Sequence, residues 1–110
     1  MGKFVKGDVV VIPFPFSDLT DSKKRPALVV SPLDGDDVIL CQITTRTRQD
    51  RYSINLSTND FSNGSLPHES LIRPNRLFTA DSNTIIRQAG AVARNKIDEV
   101  VNKIVEIVQS

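Results

Sequence analysis

Short β-rich runs, each cut off by a proline or a polar turn, fill most of the chain from Val5 to Ala89 and are best buried by stacking them into a sheet. The first, VKGDVVVIP (5–13), is β-branched and runs into Pro-x-Pro. Pro13 and Pro15 lack backbone donors, so the strand should end there or lie at an edge. The second, Ala27 to Ser31, is closed by Pro32 and then by the turn Asp34-Gly35-Asp36-Asp37. Val38 to Thr44 (VILCQIT) follows, so these two runs form a predicted hairpin. Tyr52 to Leu56 alternates, with Tyr52, Ile54 and Leu56 on one face. Residues 57–70, STNDFSNGSLPHES, are rich in turn formers and read as an exposed loop. Ser70 to Arg73 and Leu77 to Thr79 offer one or two more short strands, and Thr84 to Ala89 another.

The period changes at the end of the chain. Ile97, Val100, Val101, Ile104, Val105 and Val108 fall at helical spacing, with Lys96, Glu99, Asn102, Lys103 and Glu106 between them. The pattern predicts an amphipathic helix of about four turns, with Asn95 as its candidate cap. Its β-branched content weakens intrinsic helicity, so it needs a sheet to lie on. The expected architecture is one domain over 1–110: a small, strongly bent antiparallel barrel carrying a C-terminal helix.

Composition narrows the function classes. At 39% hydrophobic and 25% charged, the chain is an ordinary globular one. A net charge of +1 gives no protein-wide field to attract nucleic acid, so any such role must rest on local clustering. Cys41 is the lone cysteine, which rules out an internal disulfide and suits a reducing cytoplasm. One Cys and one His are too few for the usual zinc ligand sets, so neither a metal nor another cofactor is expected. The opening MGKFVKGD shows no signal peptide, and no run of about 18 apolar residues offers a bilayer span. A cytoplasmic protein without membrane contact is the expectation.

Six of the 14 Lys and Arg residues crowd into two segments, Lys23-Lys24-Arg25 and the Arg46, Arg48 and Arg51 of TTRTRQDR. One group enters the first strand of the predicted hairpin and the other leaves its second. In an antiparallel pair those positions lie at the same end, within reach of Thr44, Thr45 and Thr47. Guanidinium forks beside hydroxyls suit the non-bridging oxygens of a phosphodiester. The alternative is a solvated cationic rim that keeps loops soluble. Both readings stand on these residues alone.

The strings KGDVVVIPFPF, KRPALVVSP and VILCQITT together resemble the MazF/PemK family of toxin ribonucleases from bacterial type II toxin–antitoxin systems. The matching residues are Gly7-Asp8-Val9, Arg25-Pro26-Ala27-Leu28-Val29-Val30 and Gln42-Ile43-Thr44-Thr45. The resemblance implies an SH3-like barrel of the CcdB/MazF kind, a homodimer, and single-stranded RNA bound along the dimer groove. It implies sequence-selective, metal-independent cleavage of mRNA to a 2′,3′-cyclic phosphate and a 5′-hydroxyl. It also implies a cognate antitoxin that blocks the groove with an acidic tail. The family's key arginine and threonine fall on Arg25 and Thr44.

Transesterification at RNA needs a proton acceptor for the 2′-hydroxyl, charge stabilisation on the phosphorane and an acid for the leaving oxygen. Arg25 suits the charge, and Thr44 suits a hydrogen bond to a phosphate oxygen. Lys23, Lys24, Thr45, Arg46, Arg48 and Arg76 are the expected further RNA contacts. Phe16 is a candidate base platform, while the competing and favoured reading has both Phe14 and Phe16 plugging the barrel's open end. Histidine is the side chain suited to proton transfer near neutral pH. His68, however, stands alone in a loop and reads as surface, as do the turn carboxylates Asp18 and Asp21. Phe78 stands where the family usually carries a cation, which favours a module that binds RNA or antitoxin without cutting. Retention of Arg25 and Thr44 favours the enzyme. A gyrase poison of the same fold acts through a C-terminal Trp-Gly-Ile, whereas this chain has no tryptophan.

Overall fold

Successive residues of the central apolar runs go to opposite sides of the sheet, and both sides are covered, which is why these runs show no polar alternation. Val9, Leu28, Cys41 and Ile43 join one buried cluster, while Val10, Ile12, Ala27, Val29 and Leu40 join another. The computed structural model describes residues 3–14, 23–45 and 49–110. Seven strands precede one helix: β1 (Asp8–Phe14), β2 (Lys23–Pro32), β3 (Asp37–Thr45), β4 (Ile54–Leu56), β5 (Phe61–Gly64), β6 (Ser70–Asp81), β7 (Arg87–Val92) and α1 (Arg94–Gln109). Their order in the sheet is β4-β6-β3-β2-β1-β7-β5, with every pairing antiparallel. The sheet curls into a half-barrel, in line with the expected small β architecture.

The β2–β3 hairpin forms as expected, turning through Gly35 at φ +74°. Its first strand is longer than Ala27–Ser31, because Lys23, Lys24 and Arg25 pair with Phe14, Pro13 and Ile12 of β1. The cations are therefore ladder residues at a strand end rather than loop residues. Pro13 is tolerated because β7 accompanies β1 only as far as Val11, so the strand has a single neighbour there.

Three sequence expectations are corrected. Residues 57–70 are not simply a loop: a 3-10 turn at Thr58–Asp60 leads into β5, which adds an edge strand to the sheet beside β7. The one or two short strands expected around 70–79 form a single long strand of 12 residues, β6. It continues past Pro74 by bulging, since Cys41 faces Leu77 while the next residue, Gln42, faces Arg73. The helix is capped by Ala93 rather than Asn95, and no side chain supplies the cap bond. Its start is held instead by Lys96, whose Nζ donates to Asn55 O (3.1 Å) and pairs with Asp60 Oδ1 (3.6 Å). Ile97 and Val100 are buried, with Val101 and Ile104 packed beside them, as the helical spacing requires. Farther along the same face, Val108 is 69% exposed.

The Gly7-Asp8-Val9 opening has a structural cause. Gly7 takes φ +98°, and the buried Asp8 accepts from Val5 N (2.9 Å) and from Gln88 Nε2 (3.1 Å). That carboxylate ties the entry turn of β1 to β7 and so fixes the strand beneath the cleft described next.

Candidate functional site

At the end of the sheet where β2 begins and β3 finishes lies a cavity of about 400 Å³. Val11, Pro26, Ile43, Leu66, Pro67 and Ile86 give it apolar walls. Lys24, Arg25 and Arg87 bring three cations, and Thr44, Thr45 and Ser70 bring three hydroxyls. His68 completes the lining, and among the described residues no carboxylate lines it.

Strand register explains the convergence. The ladder of β2 on β3 runs Val29↔Leu40, Leu28↔Cys41 and Ala27↔Gln42. Two residues farther along, this register sets Arg25 against Thr44. On the other side of β1, Arg87 faces Val11, the neighbour of the Ile12 that faces Arg25. Two guanidiniums thus flank one strand. Arg25 and Thr44 are half-buried, whereas Lys24, Thr45, His68 and Arg87 are exposed.

Beneath Thr44 sits Arg73, which the sequence offers, beside Arg76, as a replacement for the cation missing at Phe78 but not as a partner of Thr44. Arg73, 8% exposed, donates from Nε to Thr44 Oγ1 (3.1 Å) and from Nη1 to Asp50 Oδ2 (3.3 Å). It stands on β6 just before the Pro74 bulge, which sets it beside β3. Asp50 is itself fixed, because its Oδ1 accepts from the backbone N–H groups of Tyr52 (2.9 Å) and Ser53 (2.8 Å). The Tyr52 N–H foremost, with Ser53 and the Arg73 charge, holds the Asp50 carboxyl below the usual carboxylate value against the desolvation of its position. Its hold on Arg73 is accordingly present through neutral and mildly acidic solution and is lost as pH falls through that lowered value.

Other expected contacts fall elsewhere. Lys23 is exposed at the start of β2, outside the cavity lining. Arg76 is exposed in the β6 bulge, also away from the lining. Arg51 lies over the Tyr52 ring at 5.0 Å and donates to its hydroxyl (2.8 Å). Phe16, Arg46 and Arg48 lie outside the described residues, as do Asp18 and Asp21. Phe78 is half-buried against the cluster of Val10, Val29 and Leu40, so packing accounts for an aromatic at that position. Burial pushes the Cys41 thiol up to about 12, which leaves it an inert core residue at neutral pH. Arg87 and Ser70 carried no sequence signal that separates them from ordinary strand residues. His68 did carry one, as the chain's single imidazole.

Solved structures share this fold at low identity. A mycobacterial endoribonuclease in complex with its cognate antitoxin is 14% identical, with a TM-score of 0.76 over 96% of this chain and 95% of that one. The MazE–MazF complex of Deinococcus radiodurans is 18% identical, at 0.77 over 96% of each chain. The Mycobacterium tuberculosis toxin MazF-mt6 is 15% identical, at 0.72 over 93% of this chain and 96% of that one. Among curated proteins, none matches the sequence. Comparison with protein families matches residues 5–108 to the PemK-like, MazF-like toxins of type II toxin–antitoxin systems, so this chain belongs to that family.

Proposed function

We propose that this protein is a sequence-selective, metal-independent endoribonuclease toxin that cleaves single-stranded mRNA to 2′,3′-cyclic phosphate and 5′-hydroxyl ends. The observation that carries the reading is the shared cleft of Arg25 and Thr44, cationic on its rim and without a described carboxylate. An anionic backbone is attracted there, and apolar walls give base faces a surface to leave water against. The similarity to a mycobacterial endoribonuclease bound to its antitoxin supports the same assignment.

In this reading the 2′-oxygen attacks phosphorus, a P–O bond forms, and the bond to the 5′-oxygen breaks. Arg25 stabilises the charge that builds on the non-bridging oxygens, with Lys24 and Arg87 adding to the field. Thr44, its oxygen occupied by the Arg73 donor, turns its own O–H toward a phosphate oxygen. The proton of the 2′-hydroxyl goes to His68, the one imidazole of the lining, and the leaving 5′-oxygen takes a proton from water. Lys23, Thr45, Arg46, Arg48, Arg76 and Phe16 extend the contact along the strand of RNA. The partners are single-stranded RNA, a second copy of the chain in a homodimer, and an antitoxin whose acidic segment competes for the cations, all in the cytoplasm.

The test is end-mapping of RNA fragments after incubation with purified protein and a chelator. Discrete cuts bearing cyclic phosphates support the reading. Binding without cuts makes the chain a non-catalytic module instead. Within a cleaving enzyme, His68→Gln is expected to lower the rate about tenfold. The effect is modest because an exposed position lets water accept the proton in its place. An unchanged rate would move the base to another residue.

A further inference from the structure

We propose that Asp50 is a positioning residue for this reaction, holding Arg73 so that the guanidinium in turn fixes the Thr44 hydroxyl at the cleft. The proposal rests on the endoribonuclease reading and extends it to two residues that do not line the cavity.

Three observations carry it. First, the two oxygens of Asp50 are divided: Oδ1 closes its own turn onto Tyr52 N and Ser53 N, leaving Oδ2 for Arg73. Ser53 tightens that turn, giving its hydroxyl to Asp50 O (3.1 Å) and accepting from Asp50 N (3.2 Å). The carboxylate is therefore anchored before it meets the guanidinium. Second, Arg73 is a rigid planar fork, so fixing Nη1 on Asp50 also fixes the direction of Nε. Nε is the atom that reaches Thr44 Oγ1, at 3.1 Å. Third, the Arg73 side chain is 10% exposed and that of Asp50 is 43% exposed. The cation is enclosed among neighbours, and its carboxylate is partly exposed and outside the lining of the cleft.

The chemical effect follows from donor and acceptor roles. A hydroxyl that accepts from a cation has one lone pair committed and becomes a better donor through its own proton. Asp50 thus sets both the aim and the polarity of the Thr44 O–H without touching RNA. Loss of that aim should appear in turnover more than in substrate binding, since Arg25, Lys24 and Arg87 still hold the backbone.

A double-mutant cycle tests this on the full-length protein, with single-turnover cleavage and thermal melting read together. Asp50→Asn keeps the turn acceptor and removes the charge. It is expected to lower kcat by about 10- to 100-fold with little change in KM. In the Thr44→Val background the same change should alter the rate less than about twofold, because the hydroxyl it serves is gone. Arg73→Lys provides the second arm: it keeps a charge for Asp50 but loses the fork, and it should behave as Asp50→Asn does. Rates in which Asp50→Asn and Thr44→Val multiply independently, or full activity in Arg73→Lys, would overturn the proposal while leaving the endoribonuclease reading in place. Absence of cleavage by the wild-type protein would overturn both.

Discussion

Arg25→Ala is expected to lower single-turnover RNA cleavage by about 10²- to 10³-fold and to abolish growth arrest, with a melting temperature close to that of the parent. The size follows from where charge appears. The phosphorane gathers negative charge on its non-bridging oxygens, and a preorganised guanidinium in a half-enclosed site stabilises it far more than water does. Arg25 stands opposite Ile12 of β1 and lines the same cleft as Thr44, the position this proposed role requires. Its half-buried position at a strand end means that truncation leaves both core clusters intact. Arg25→Lys should recover only part of the rate, because a point charge cannot bond two oxygens at once. Lys23→Ala is the matching control, since Lys23 is exposed and outside the lining, and it should cost far less. Normal toxicity in Arg25→Ala would remove this residue from the mechanism.

Thr44→Val tests the other half of the pair. It deletes a hydroxyl at nearly constant volume, so cleavage should fall by about 10²-fold while RNA binding changes little. The variant should also melt at a lower temperature, because the hydrogen bond from Arg73 Nε to Thr44 Oγ1 is lost. Thr44→Ser restores the oxygen and should restore most of the rate. Wild-type single-turnover kinetics in the valine variant would rule out the assigned role. The two substitutions separate cleanly: Arg25 removes charge and binding together, whereas Thr44 removes an aimed hydrogen bond.

The distribution of cations explains why the protein's overall charge was uninformative. Lys24, Arg25 and Arg87 converge on one cleft whose described lining holds no carboxylate, while acids such as Asp60, Asp98, Glu99 and Glu106 pair with cations on or near the helix. A net charge of +1 averages these regions, whereas a ligand in the cleft would meet only the first of them.

What the sequence determined by itself was whatever depends on neighbours along the chain. The β-branched runs, the Asp34-Gly35 turn and the helical spacing of Ile97 to Ile104 each follow from local sterics and periodicity, and each forms in place. The meeting of the Lys24-Arg25 end of β2 with the Thr44-Thr45 end of β3 was legible too, because a hairpin brings those two ends together, although a bulge between Val29 and Ser31 shifts the register that the turn alone would set. Tertiary structure alone decided the remainder. The meeting of Arg73 with Thr44, the arrival of Arg87 across β1, the pairing of β5 with β7 and the bulge that carries β6 past Pro74 all join segments distant in sequence. Periodicity shows which face of a strand is apolar, but not which strand will lie beside it. That choice is made when the strands pair over a shared core, and it is the pairing of β6 with β3 that sets a buried arginine against the Thr44 hydroxyl at the cleft.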